Sequence, residues 1–318
     1  MMINGILNIN KPAGITSAQV VSQIKKSLKI DKVGHAGTLD PFATGVLLIG
    51  LGKATKITQY LTALKKEYAG SMVLGIDTDT YDLEGKILKI RKDQSIIIKR
   101  SDIEKVFSEY QGEIFQKPPM FSAIKQNGLR LYQLARKGIF IERKPRKVKI
   151  YNLSMLDVKK PPYAEVKFKV QCSKGTYIRS LCHDIGNNLG CGAYVSKLIR
   201  TKIGNYSLEQ SIELSYFLSL SRNHQNAFIS GIDRSLYFLN KIILKNDDNL
   251  IKRVLNGRNI TINDITIIKN NNLEDFPDKF SVYSNDGDFL AIAHILKNEQ
   301  QQKNTNTFKI EKTFHGNN

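Results

Sequence analysis

Asp40 stands in the run Gly34-His35-Ala36-Gly37-Thr38-Leu39-Asp40-Pro41, and the apolar stretch Val46-Leu47-Leu48-Ile49 follows shortly after. One carboxylate is thus placed in a glycine-punctuated turn that opens onto a buried strand. Pro41 fixes its own φ and keeps Asp40 out of the helical region. Gly34, Gly37 and Gly45 permit a sharp turn or a close backbone approach. An Asp-Pro pair alone is simply a turn. A carboxylate held in such a loop beside an apolar floor could also serve as a nucleophile or a base.

Two other tracts imitate binding motifs and fail on inspection. In Gly50-Leu51-Gly52-Lys53-Ala54-Thr55, Ala54 replaces the hydroxyl residue that a phosphate loop needs for magnesium, and Leu47 replaces its first glycine. Asp77, Asp79 and Asp82 are spaced like part of a calcium loop. Tyr81 and Leu88 occupy ligand positions, however, and Asp82 stands where the turn glycine belongs. Cys172, Cys182 and Cys191, even with His183, match no zinc spacing. No metal or cofactor is expected.

The Asp40 segment resembles the G-H-x-G-x-L-D-P-x-A-x-G motif of the TruB family, the pseudouridine synthases of the bacterial tRNA type, and meets every fixed position. Asn10-Lys11-Pro12-Ala13-Gly14-Ile15-Thr16-Ser17, Lys66-Glu67-Tyr68, Pro118-Pro119-Met120-Phe121-Ser122-Ala123 and Ser173-Lys174-Gly175-Thr176-Tyr177-Ile178-Arg179-Ser180 match in the family's order. The resemblance implies that uridine is isomerised to pseudouridine in the T-loop of tRNA, at position 55. The N1–C1′ bond breaks, the base turns and C5 takes its place, so neither redox change nor cofactor is involved.

The same resemblance implies roles for individual residues. Asp40 is the catalytic nucleophile or base. Arg179, whose guanidinium stays charged and can hold a carboxylate through two bonds, is its cation. Tyr68 stacks on the target base and is a candidate acid or base at C5. His35 fills the space left by the flipped nucleotide. Tyr177 and Leu198 line the pocket, and Lys11 and Asp82 belong to the substrate-binding surroundings. Phe121, Tyr194 and Ile199-Arg200 depart from residues common in the family.

Charge agrees with an RNA partner. Forty-eight Lys and Arg against 29 Asp and Glu give +19, an attractive field for a polyanion. Between Lys117 and Lys149 there are ten basic residues and one acid, Glu142. Lys144, Arg146 and Lys147 in this stretch are expected to grip phosphates. A noncatalytic RNA-binding or RNA-folding protein would use the same groove. An Asp-nucleophile hydrolase is disfavoured because these motifs show no second paired acid. Three cysteines in 318 residues suit a reduced cytoplasm better than a disulfide framework. No apolar run is long enough to span a membrane, and a monomer is expected.

The elements that must position these residues can be read from periodicity. Thr16 and Gln19 form a capping-box pattern ahead of a helix over Ser17–Leu28. Helices are also expected over Ala54–Leu64, Ser101–Tyr110, Leu129–Arg136, Ser180–Leu189 and Ala193–Ile199. Strands are expected over Val46–Leu51, Tyr68–Leu74, Val148–Leu156 and Tyr163–Cys172. The resemblance implies an α+β catalytic domain over 1–230, with a mixed, mainly antiparallel central sheet, flanking helices and a basic RNA-gripping insertion at 117–149. The polar stretch Ser219–Asn226 reads as a linker. From 231 to 318, short strands such as Thr261–Ile268, Phe280–Ser284 and Leu290–Leu296 suggest a small β-rich module, which the resemblance implies is a PUA-like RNA-binding module. Residues 298–307, rich in Asn, Gln and Lys, read as disordered.

Overall fold

The computed structural model describes residues 3–90, 99–126, 128–159, 164–270, 276–296 and 307–315. Its main body is built on one large sheet. Along the sheet the strand order is Ile212–Glu213, Gly5–Lys11, Thr44–Leu51, Ala193–Ile203, Lys66–Leu74, Glu165–Cys172, Arg146–Lys159 and Gly112–Gln116. Most neighbours on this path are antiparallel. Thr44–Leu51 and Ala193–Ile203 run parallel, through the pairs Thr44/Ile199 and Gly45/Arg200. The expected mixed, mainly antiparallel sheet is therefore present.

The apolar run after Asp40 is buried on both faces, as a continuous rather than alternating pattern requires. Leu47, Ile49 and Leu51 pack with Val20, Ile24 and Leu28 of the first helix, while Val46 and Leu48 point the other way. That helix spans Ser17–Leu28 as expected, with Thr16 and Gln19 exchanging bonds at its start. Beyond the central strands, Arg100–Glu109 and Ile178–Asn188 cover the sheet. They meet Val166, Phe168, Val170 and Cys172 of a cleanly alternating strand.

Three expectations are corrected. Ala193–Ile199 is not a helix but the first part of the Ala193–Ile203 strand. Two irregularities in its pairing, between Val195 and Lys197 and between Arg200 and Lys202, shift the inward-facing side. Val195, Leu198 and Ile199 thereby imitate helical spacing. Ala54–Leu64 divides into a tight 3-10 turn, Gly52–Ile57, and a short α-helix, Thr58–Ala63. The Thr55, Thr58 and Thr62 hydroxyls bond back to carbonyls three or four residues earlier, which distorts a regular helix. Ser219–Asn226 is not an open linker, since it includes the helix Arg222–Asn226. Gln225 is buried there and donates to the Ser27 hydroxyl (2.8 Å) and the Phe217 carbonyl (2.9 Å).

The C-terminal region forms its own six-stranded sheet, in the order Ile260–Thr261, Thr307–Thr313, Phe289–Leu296, Lys279–Tyr283, Asn240–Leu244 and Ile265–Lys269. The expected disorder over 298–307 falls on residues outside those described, apart from Thr307. Thr307 opens a strand that pairs along Phe289–Leu296.

This second sheet shares a core with the first. Ile232, Leu236, Phe238, Leu239, Phe289, Ile292 and Phe314 pack with Ile6, Val46, Leu48, Ile57, Leu61, Leu64 and Ile203. A polar knot lies at the same junction. Glu311 accepts from the Tyr60 hydroxyl (2.8 Å) and pairs with Lys279 and with His294 Nδ1 (2.9 Å).

Candidate active site

The loop that carries Asp40 is fixed by four separate groups. Arg200 is buried and donates Nε to Val46 O (2.7 Å), Nη1 to Thr38 O (3.2 Å) and Nη2 to Gly37 O (3.2 Å). Ser17, at the start of the first helix, both accepts from the Leu39 amide (2.9 Å) and donates to the Leu39 carbonyl (3.2 Å). The Gly14 amide donates to Pro41 O at 2.9 Å. Lys11 Nζ donates to the carbonyls of Pro12 (2.7 Å), Ile15 (2.7 Å) and Pro41 (3.0 Å).

Gly45 explains part of the glycine pattern. Its φ is +106°, and a Cβ there would stand 2.3 Å from Arg200 O. The requirement is close packing of two strands. Gly37, at φ +92°, supplies the turn itself.

Asp40 meets Arg179 in a two-bond pair: Nε to Oδ2 and Nη2 to Oδ1, both at 3.0 Å. The guanidinium is otherwise enclosed. Nη2 also donates to Phe121 O (2.8 Å), and Nη1 donates to Thr80 O (3.1 Å) and lies 3.2 Å from Asp82 Oδ2. Side-chain exposure is 5% for Arg179, 6% for Asp82 and 32% for Asp40. The arginine and its rear carboxylate are thus dry, while Asp40 alone opens outward. Two fixed bonds set the plane of its carboxylate.

Asp82 accepts from the Thr80 hydroxyl (2.5 Å) and the Glu84 amide (3.1 Å) on its other oxygen. Burial pushes its carboxyl up, and the Thr80 bond and Arg179 oppose that push. The site therefore does contain a second acid, which weakens the sequence argument against a hydrolase. Asp82 faces the rear of Arg179, however, and not the open side of Asp40.

Tyr68 lies in the core beside Leu39, Leu198 and Ile178. Burial raises the pKa of its hydroxyl, and the charge of Arg200 acts against that. Leu198 is buried on the neighbouring strand. Tyr177 precedes the Ile178–Asn188 helix, and Gln116 holds it at both backbone groups, accepting from its amide (2.7 Å) and donating to its carbonyl (3.0 Å). His35 is half-buried on the short strand Val33–His35. Burial and the nearby Arg200 charge push its imidazole pKa down.

Lys11, expected among the substrate contacts, is placed differently. It is fully buried and its ammonium is occupied by three carbonyls. Burial lowers its pKa to about 8, opposed by the Asp40 charge. Lys144, Arg146 and Lys147 are exposed, and Lys147 pairs with Glu113 at 2.8 Å. Arg146 is near enough to Tyr177 for its charge to favour the ionised phenol. Phe115 and Phe140 stand 75% and 68% exposed in and beside this basic segment.

Arg200 and Ser17 are supports to which the sequence gave no role at the site. In the sequence Arg200 stood out only as the one arginine present, after Ile199, where two are common in the family. The helix expected over Ala193–Ile199 gave no reason to aim the following arginine at the Asp40 loop.

The fold is similar to that of solved structures over nearly the full length of the chain. It matches a crystal structure of a Cbf5-Nop10-Gar1 complex with a TM-score of 0.73 and 28% identity, covering 97% of this chain and 84% of that one. An H/ACA RNP bound to a substrate RNA containing 2′-deoxyuridine matches with a TM-score of 0.72 and 26% identity, covering 98% and 85%. The model of the N-terminal domain of TruB family pseudouridylate synthases fits residues 25–178. That of the tRNA pseudouridylate synthase B C-terminal domain fits 179–248. The tRNA pseudouridine synthase B of Clostridium kluyveri is 45% identical over 291 residues, 91% of this chain and 95% of that protein. That of Clostridioides difficile is 43% identical over 316 residues, 98% and 100%. The chain belongs to the TruB family of pseudouridylate synthases, and it is an isomerase.

Proposed function

We propose that this enzyme converts uridine to pseudouridine in tRNA, acting on position 55 of the T-loop with Asp40 as the reacting carboxylate. The observation that carries this reading is the two-bond Arg179–Asp40 pair, with the arginine enclosed and the aspartate open. Named relatives that act on tRNA support the substrate class.

In this reading the target nucleotide leaves its stack, at a cost of a few kcal/mol that contacts in the pocket must offset. Tyr68 supplies the face on which the base stacks. His35, kept neutral by burial, fills the vacated space. Asp40 acts at the sugar or base while the N1–C1′ bond breaks and C5–C1′ forms. Tyr68 is also the candidate group that takes the C5 proton, and the nearby Arg200 charge favours its ionised form against the opposing effect of burial. Tyr177 and Leu198 close the apolar side. Lys11 acts at one remove, by holding Pro41 beside Asp40. The catalytic unit is read as 1–230 and the smaller sheet as an RNA-binding module over 231–318, in a cytoplasmic monomer.

Release of tritium from C5-labelled uridine in a T-stem-loop RNA tests the reaction. Stoichiometric release is expected, and none is expected when the target uridine is replaced by cytidine. Binding without release would instead favour a noncatalytic RNA-folding protein.

Basic residues at the edge of the site are assigned to phosphate contact. Neutralising Lys144, Arg146 and Lys147 together is expected to weaken binding to all RNAs and to reduce the slope of log K against log salt by about two to three. The lower figure allows for the Glu113 partner of Lys147. The single-turnover rate at saturating RNA should stay near the parental value. An unchanged salt slope would remove these residues from the interface.

A further inference from the structure

We propose that Tyr81 and His183 form a positioning pair that holds the Arg179 guanidinium against Asp40, an inference that rests on Asp40 being the reacting group. Tyr81 and Lys29 are the non-glycine residues with positive φ among those described. Lys29 ends the first helix, a common place for that conformation. Tyr81, at φ 63°, sits in the middle of the turn that approaches Arg179. A bulky side chain disfavours this region, so the surroundings must hold it there.

What holds it is visible on both sides. The Tyr81 ring stacks on the His183 imidazole, with centroids 3.8 Å apart and planes inclined by 15°. Its carbonyl accepts from the Val195 amide at 3.0 Å. The residues flanking Tyr81 are the two that meet Arg179 Nη1: Thr80 through its carbonyl (3.1 Å) and Asp82 through Oδ2 (3.2 Å). Arg179 and His183 are four residues apart on the Ile178–Asn188 helix, so they share a face one turn apart. One helix therefore grips one turn twice, by charge at Arg179 and by ring contact at His183.

His183 is itself fixed. Its Nε2 lies 3.0 Å from Asn187 Nδ2, while its Nδ1 lies 3.8 Å from Asp77 Oδ1, beyond hydrogen-bond distance. Losing the stack frees the turn to leave its left-handed conformation, which withdraws both acceptors from Nη1. The guanidinium then rotates, and the plane it imposes on Asp40 is lost. Displacements of about 1 Å at a reacting group commonly lower rates by about a hundredfold.

The test uses the full-length protein and measures single-turnover tritium release at saturating T-stem-loop RNA, beside equilibrium RNA binding. Y81G deletes the ring, and because glycine adopts positive and negative φ about equally well, nothing then pins the turn to the left-handed conformation. H183A deletes the other ring. Each is expected to lower the single-turnover rate by about tenfold or more with RNA affinity within about twofold of parental. Y81F and H183F, which restore a ring, should recover most of the lost rate. The Nε–H proton resonance of Arg179, which reports its bond to Asp40 without any turnover, should move in Y81G and return in Y81F. Parental rates in Y81G and H183A overturn the proposal. So does a loss confined to RNA affinity, or Y81F as slow as Y81G. If H183A does not fold, the Y81G and Y81F pair decides. If the parental protein releases no tritium, the functional reading fails, and the Arg179 resonance still decides whether the ring pair positions the guanidinium.

Discussion

Asp40→Asn is expected to abolish turnover while leaving a folded protein that binds RNA with parental affinity. The carboxylate accepts from Arg179 on both oxygens. An amide presents an NH2 where one acceptor stood, so one guanidinium N–H loses its partner and the nucleophile is lost together with its fixed plane. Folding should survive because Arg179 keeps Thr80 O, Phe121 O and Asp82, and because Asp40 is the exposed member of the group, at 32%. The loop keeps its brackets from Lys11, Ser17 and Arg200, none of which touches the Asp40 side chain through a bond described above. A loss of more than about a hundredfold in single-turnover rate is expected, since removal of a covalent catalyst commonly costs several orders of magnitude. Tritium release at saturating RNA and a separate binding titration check the two halves of the statement. Retention of more than about a hundredth of the parental rate would remove Asp40 from the chemistry.

What the sequence disclosed about this site follows from what kind of signal each residue leaves. Asp40 and Arg179 sit in dense local patterns of Gly, Pro and Thr, so their segments could be picked out without knowing that they meet 139 positions apart. The first helix was legible to the residue because its cap is a side-chain exchange within four positions. Arg200 left no such trace. Its function depends on a strand whose irregular pairing disguises the period of two, and its three acceptors are backbone carbonyls. Backbone acceptors carry no residue type. Thr80 O and Phe121 O escape sequence reading for the same reason. Lys11 was legible as a member of a motif but not as a buried brace, because a lysine is buried only when carbonyls converge on it, and that convergence is tertiary. The C-terminal module was legible as short strands and turns, but not its attachment, because the apolar residues that join it to the catalytic sheet are spread from Ile6 to Phe314.

That attachment makes truncation after Gly231 far more damaging than a boundary drawn between two sheets suggests. The cut removes Ile232, Leu236, Phe238, Leu239, Phe289, Ile292 and Phe314, and thereby exposes one side of Ile6, Val46, Leu48, Ile57, Leu61, Leu64 and Ile203. Burial of a single such side chain is worth about 1.5–3 kcal/mol. Even half that value over these positions comes to roughly 5–10 kcal/mol, comparable with the whole stability of an ordinary domain at about 5–15 kcal/mol. Val46 and Leu48 belong to the strand that follows the Asp40 loop, and Arg200 donates to the Val46 carbonyl, so disorder there reaches the active site directly. The expected result is loss of the cooperative thermal transition, aggregation on expression, and no tritium release even at saturating RNA. A cut after Leu239 retains four of the seven removed residues and should recover part of the solubility. A Gly231 truncation that unfolds cooperatively within about 5 °C of the full chain would show that the shared apolar core contributes little. The second sheet would then be a separable RNA-binding appendage. If the cooperative transition is lost as expected, RNA affinity cannot be assigned to this module by deletion. Substitutions on its exposed face, with Phe289, Ile292 and Phe314 left in place, become the way to measure it.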